Sequence, residues 1–131
     1  MANIPYYEQK DIENIKKLRE MMKELPPFCT EFFRGIEPRT STRTRIAYAY
    51  DLSVFFDFLK KENPVFSKME LMDFTLDHLD QITVTDLEEY MEYLKYRFND
   101  HNQEITNKER GIMRKISSLK SFYNYFFRTE K

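Results

Sequence analysis

At 131 residues the chain is the size of one domain, and no apolar run approaches the roughly 18–20 residues that a membrane-spanning helix needs. A single cysteine, Cys29, excludes an internal disulfide and with it a disulfide-stapled secreted scaffold. A net charge of −1 excludes a uniformly basic nucleic-acid binder, but the charge is polarised: residues 77–104 hold eight acids against two bases, and residues 105–131 hold seven bases against two acids.

With only two glycines and many Leu, Met, Lys and Glu, the composition favours helices over strands. Residues 8–25 place Ile12, Ile15, Leu18, Met22 and Leu25 at three-to-four spacing, which predicts an amphipathic helix carrying a Glu13–Lys17 pair. Pro26 and Pro27 stop it. Pro27 is placed to open a short helix to Phe33 or Arg34, with Gly35 as its C-terminal cap. Ser41 or Thr42 then caps a long helix whose Tyr48, Leu52, Phe55 and Leu59 form a buried stripe, widened by Phe56 and Phe58, and Asn63-Pro64 ends it. Ser67 and Glu70 read as a capping box over a short turn of helix through Met72, followed by a connection. Thr85 with Glu88 predicts a helix to about Phe98, with Leu87, Met91, Leu94 and Phe98 inward. Thr106 with Glu109 opens a last helix to about Arg128, with Ile112, Ile116, Leu119, Tyr123 and Phe126 inward. No strand is expected. The fold class is all-α: a bundle of four main helices preceded by an N-terminal one.

The last helix carries most of the functional signal. At about 100° per residue, Arg110, Arg114, Ser117, Ser121 and Arg128 fall opposite its apolar stripe, with Ser118 beside them. No acid follows Glu109 until Glu130, whereas a solvated face ordinarily mixes both signs. Arginines one turn apart with serines between suit a helix in a DNA major groove, where Arg reads guanine edges and Ser reaches phosphate. A merely basic surface fits the helix taken alone equally well. The second signal is the entry to the long helix, residues 39–45, with three arginines and four hydroxyls at a helix N-terminus, a setting that attracts phosphate and also suits plain capping. Gly111 fits either a close approach of DNA or a helix start. The acids Glu88, Glu89 and Glu92 would repel DNA and are expected to point away from it, in solvent or toward another protomer.

Three stretches resemble a known family. Ser41-Thr42-Arg43-Thr44-Arg45-Ile46-Ala47-Tyr48-Ala49-Tyr50-Asp51-Leu52, followed by Phe55, Phe58 and Leu59, resembles the helix opening of the SAM-like core-binding domain of phage-integrase-type (Xer-like) tyrosine recombinases. Ile82-Thr83-Val84-Thr85-Asp86-Leu87 with Tyr90 and Leu94 is similar to the start of that domain's third helix. The run from Arg114 to Phe126, Arg-Lys-Ile-Ser-Ser-Leu-Lys-Ser-Phe-Tyr-Asn-Tyr-Phe, is similar to its last helix.

The resemblance covers residues 27–131 and leaves 1–26 as an N-terminal helical extension, which either packs on the bundle or reaches DNA or a neighbouring protomer. It implies half of a C-shaped clamp on a recombination half-site. By position, the DNA-binding candidates are Arg43, Thr44 and Ala47 on the long helix, and Arg110, Arg114, Lys115, Ser118 and Lys120 on the last, to which the wheel adds Ser117 and Ser121. Lys115 and Lys120 sit on the flanks of the wheel and are expected to contact phosphate. The implied partners are double-stranded DNA and further recombinase protomers assembled on it, with the isolated chain a monomer.

The family's catalytic half is not represented. Neither His78 nor His101 begins a His-x-x-Arg box, no tyrosine is paired with a base, and the similarity stops where an interdomain linker would begin, as expected for a fragment of a longer recombinase. One Cys and two distant His give no metal-ligand spacing, and no cofactor is expected. The polar start lacks a signal-peptide core, so the cytoplasm is the expected compartment. The competing reading is a helical protein-interaction module whose basic face binds an acidic partner. The DNA reading expects the surfaces around Arg43 and Arg114 to converge on one side of the bundle, with Arg114 not tied to an interior carboxylate.

Overall fold

The computed structural model describes residues 5–99 and 101–127; Arg128, assigned above to the basic face, lies outside them. Among the described residues six α-helices follow in order: α1 (Tyr6–Met22), α2 (Cys29–Ile36), α3 (Thr42–Glu62), α4 (Leu76–Asp80), α5 (Val84–Lys95) and α6 (Glu109–Phe127). A two-residue antiparallel ribbon, β1 (Arg97–Phe98) with β2 (Glu104–Ile105), joins α5 to α6 and corrects the expectation of no strand. Its turn is held by the Asn99 side-chain oxygen, which accepts from the His101 and Gln103 amides, and by Asn102 in the left-handed region at φ 62°. The all-helical architecture matches the sequence reading, with α4 added.

Local signals explain most boundaries. Ser41 caps α3 by accepting from the Thr44 amide at 3.1 Å. Arg45 folds back on the preceding loop, donating to the carbonyls of Glu37 and Thr40 and to the hydroxyls of Thr40 and Thr42, so it serves as a local brace. α3 ends at Asn63, whose side chain accepts from the Val65 amide and donates to Asp86 at the start of α5.

Several expectations are corrected. Gly35 lies inside α2 and is no left-handed cap, since no glycine has positive φ; a Cβ there would collide with the Tyr125 ring, so Gly35 is where α6 presses a ring onto α2. The Ser67–Glu70 box does not form: a 3₁₀ turn spans Leu71–Asp73 with no side-chain cap. The true cap in this region is Thr75, in a box with His78 that starts α4; histidine stands where Glu or Gln is usual. α5 is capped two residues earlier than read, by Thr83 with Asp86, both arms of the box being made. α6 begins at Glu109, leaving Thr106 outside it. Glu13 pairs with Lys10 at 3.8 Å, in place of the Lys17 pairing expected from i,i+4 spacing.

The core is aromatic. α3 is buried nearly all round, through Ala49, Leu52, Val54, Phe55, Phe56, Phe58 and Leu59, because α1, α5 and α6 all pack against it. Phe122 of α6 is fully buried and meets Phe32 edge-to-face at 5.1 Å, and Phe55 meets Tyr90 at 5.1 Å. Leu18 and Leu25 join this same core, so the N-terminal helix packs on the bundle. On α5 the buried residues are Tyr90 and Leu94; Met91 and Phe98, read as inward, are 38% and 45% exposed, the latter because α5 stops at Lys95 and the ribbon turns it outward.

Candidate nucleic-acid interface

One carboxylate organises the meeting of α3 and α6. Asp51, 3% exposed, lies in the otherwise apolar middle of α3. Its Oδ1 accepts from Arg114 Nη2 at 2.8 Å and from Lys115 Nζ at 3.2 Å, and its Oδ2 accepts from Ser118 Oγ at 2.7 Å. An unpaired carboxylate in that position would be strongly disfavoured; three donors, two of them cationic, offset its desolvation. The Lys115 ammonium also sits 4.7 Å from the centroid of the Tyr50 ring, whose hydroxyl accepts from Arg97 Nη2 at 3.4 Å. Arg97 is itself buried, with Nε unsatisfied, as is the Tyr90 hydroxyl nearby. Burial and then the Asp51 charge push the Tyr90 phenol far above its ordinary value.

This junction sorts the candidate residues. Lys115, expected on a flank in contact with phosphate, is 3% exposed and bonded to Asp51, so it is an interior residue; Ser118, at 9%, is likewise turned inward. The physical reason is that the buried face of α6 runs through Ile112, Lys115, Ser118, Leu119 and Phe122, rotated toward the two polar residues because a buried acid awaits them. Arg114 does touch the interior carboxylate, contrary to expectation, yet it does so from outside: its side chain is 57% exposed against 2% for Asp51. Arg110, Ser117, Lys120 and Ser121 are exposed. On α3, Arg43, Thr44 and Ala47 are exposed as well, with Thr44 Oγ1 3.0 Å from the Ser41 hydroxyl. Arg43, Ala47 and Asp51 occupy successive turns of α3, about 12 Å from first to last, so the stripe that starts at Arg43 runs to the point where α6 is joined. Arg43, Arg110 and Lys120 form no ion pair or hydrogen bond among the described residues, unlike Arg45, Arg97 and Arg114.

The chain is 34% identical over 115 residues to tyrosine recombinase XerC of Caldanaerobacter subterraneus subsp. tengcongensis, a match covering 81% of this chain and 30% of that protein. It is 27% identical over 125 residues to tyrosine recombinase XerS of Lactococcus lactis subsp. cremoris, covering 87% of this chain and 32% of that one. Over 81–87% of its own length the chain is similar to these tyrosine recombinases. It spans about a third of the length of the curated relatives it matches. No family model matches it, and no solved structure matches it significantly.

Sequence reasoning missed the role of Asp51, naming it only within the run from Ser41 to Leu52. The available signal was an acid inside a stripe that must be buried, which demands cationic partners elsewhere in the chain. The acids Glu88, Glu89 and Glu92 of α5 are exposed and, with Glu62, rim a cleft floored by Phe58 and Tyr93; Glu92 pairs with Lys95 at 2.8 Å. Between α5 and α6 lies an apolar groove of about 380 Å³ lined by Ile82, Leu87, Met91, Ile116, Leu119 and Tyr123. Tyr123 donates to the Leu79 carbonyl, Cys29 is buried with its thiol pushed well up by burial, and His78 is engaged in its capping box, so these groups serve the fold. Among the described residues no group of three His, Cys, Asp or Glu could hold a metal, and no helix is long and apolar enough to cross a membrane.

Proposed function

We propose that this part of the recombinase is a core-binding module that grips duplex DNA, with residues 27–131 as the binding unit and 1–26 as a helical extension packed on it. The contact surface is the outer face of α6, through Arg110, Arg114, Ser117, Lys120 and Ser121, together with the start of α3, through Arg43, Thr44 and Ala47. The observation that carries the reading is the makeup of α6: its exposed residues include Arg110, Arg114 and Lys120 with Ser117 and Ser121 among them, and no acid follows the first residue of the helix. Arg114 offers a directed guanidinium and the serines allow a close backbone approach, the combination that suits groove and phosphate contacts. Ala47 has only a methyl to present, which suits a thymine methyl or the DNA backbone.

The module binds without cutting. Tyr90 and Tyr123 hold their protons tightly through burial. The functional partners are duplex DNA in the cytoplasm and further recombinase protomers assembled on it. Binding by the isolated chain falls in the non-specific range of about 10⁻⁴–10⁻⁶ M at physiological salt, and each doubling of salt weakens it about four- to sevenfold if two or three phosphates are contacted.

Fluorescence anisotropy with a labelled duplex of arbitrary sequence tests this. At low salt the unaltered chain binds, and Arg110→Glu and Arg43→Glu each weaken binding about tenfold or more. These two sites are cleaner than Arg114, where a glutamate would face Asp51. No binding at low salt, or binding indifferent to both reversals, overturns the reading and leaves the basic face for an acidic protein partner.

A further inference from the structure

The junction beneath α6 does more than fasten two helices. We infer that Asp51 is a positioning residue of the DNA-binding surface: its buried carboxylate holds Arg114 in a fixed outward pose, leaving the remaining nitrogens of that guanidinium open to acceptor groups of duplex DNA. The inference rests on the DNA reading above.

The geometry is specific to Arg114. Only one of its nitrogens, Nη2, bonds Asp51 Oδ1, at 2.8 Å, and its other nitrogens have no partner among the described residues. A guanidinium is a rigid planar fork of five donors, so anchoring one corner orients the rest. Asp51 cannot swing away to release it. Oδ1 also holds the buried Lys115 ammonium, Oδ2 holds the Ser118 hydroxyl, and the carboxylate is 2% exposed. Those donors lie at positions 114, 115 and 118, so the same carboxylate fixes the rotation of α6 about its own axis and therefore which residues face outward. Arg110, one turn away on the same exposed face, lacks such an anchor among the described residues. An arginine already held in its binding pose loses less side-chain freedom on contact than a free one.

Simple charge counting predicts the opposite, which makes the inference testable. Removing the Asp51 charge raises the positive potential of the surface and by electrostatics alone tightens DNA binding; loss of positioning weakens it. Asp51→Asn alone would leave the Lys115 ammonium buried without a counter-charge, so the comparison is made in the Lys115→Met background, where Asp51→Asn leaves no buried ammonium stranded. A double-mutant cycle of Asp51→Asn and Arg114→Gln in that background, read by anisotropy on the same duplex, measures the coupling. Arg114→Gln should weaken binding about tenfold with Asp51 present and under about threefold in the D51N chain. Independently of these variants, nitrogen relaxation of the unaltered chain should find the Arg114 guanidinium ordered and that of Arg110 mobile.

Equal effects of Arg114→Gln in both backgrounds, tighter binding after Asp51→Asn, or an Arg114 as mobile as Arg110 would each overturn the positioning role while the DNA reading stands. Failure of the unaltered chain to bind duplex DNA removes both.

Discussion

The two halves of α6 are held by opposite chemistry. Its first half is fastened by charge, with Arg114, Lys115 and Ser118 converging on Asp51. Its second half is fastened by rings, with Phe122 against Phe28, Phe32 and Phe56 and with Tyr125 pressed onto the backbone of α2 at Gly35. The ring half needs only complementary shape and tolerates small shifts. The charged half has directional bonds to one buried carboxylate, so it fixes how α6 is turned, and it is this half that carries the proposed DNA-facing arginines.

The largest effects break one half or the other. Asp51→Ala strands the Lys115 ammonium in the interior and should cost about 3–5 kcal/mol in urea denaturation. Phe122→Ala should cost about the same, 3–5 kcal/mol, by emptying a fully buried ring site. The halves then differ in rescue: Lys115→Met should restore most of the stability lost in D51A and none of that lost in F122A. Absence of rescue at Lys115 would mean that charge is not what holds the first half.

How far each half was legible in the sequence follows the same division. The ring half was readable in part: apolar periodicity set Leu119, Tyr123 and Phe126 at the core or its edge, but it passed over Phe122, the fully buried ring, and the seat of Tyr125 on Gly35, which depend on where α2 lies. The charged half was misread because a helical wheel assigns Lys115 and Ser118 to the surface by type, and only the tertiary partner on α3, 64 and 67 residues away, turns them inward. The same logic separates the caps. Ser41 was found because its cap is local, whereas α5 offered two adjacent Thr-x-x-acid frames, Thr83 with Asp86 and Thr85 with Glu88. Asn63 bonding to Asp86 accompanies the earlier one, a choice that residues 83–88 alone do not disclose. α4 was missed because its box uses His78.

Smaller effects sharpen the contrast. Gly35→Ala should destabilise by about 1–3 kcal/mol in thermal or urea unfolding, since the Tyr125 ring must leave its seat. Gly111→Ala, at the start of the charged half, meets only the Asn107 side chain at 3.2 Å and should stabilise by up to about 1 kcal/mol. A loss there would mean that the first turn of α6 needs glycine for a reason beyond helix propensity. Alkaline pH should erode stability through buried acids of the core. Burial raises the thiol of Cys29 above its ordinary 9.0 and the phenols of Tyr90 and Tyr123 above 10.0, so the folded chain keeps protons that the unfolded chain releases. Stability from these groups is complete below pH 9 and should fall steadily as pH rises through 9 to 10 and beyond. A flat profile from pH 8 to 11 would contradict that burial.

The proposed DNA-facing surface is the outer face of α6, set by Asp51 and continued by the start of α3. Backbone and arginine side-chain NMR shifts during titration with a duplex at low salt test it most directly. Perturbations are expected at Arg110, Arg114, Ser117, Ser121, Arg43 and Ala47, with Glu88, Glu89 and Glu92 of α5 unmoved. Shifts centred on α5, or none on α6, would contradict it.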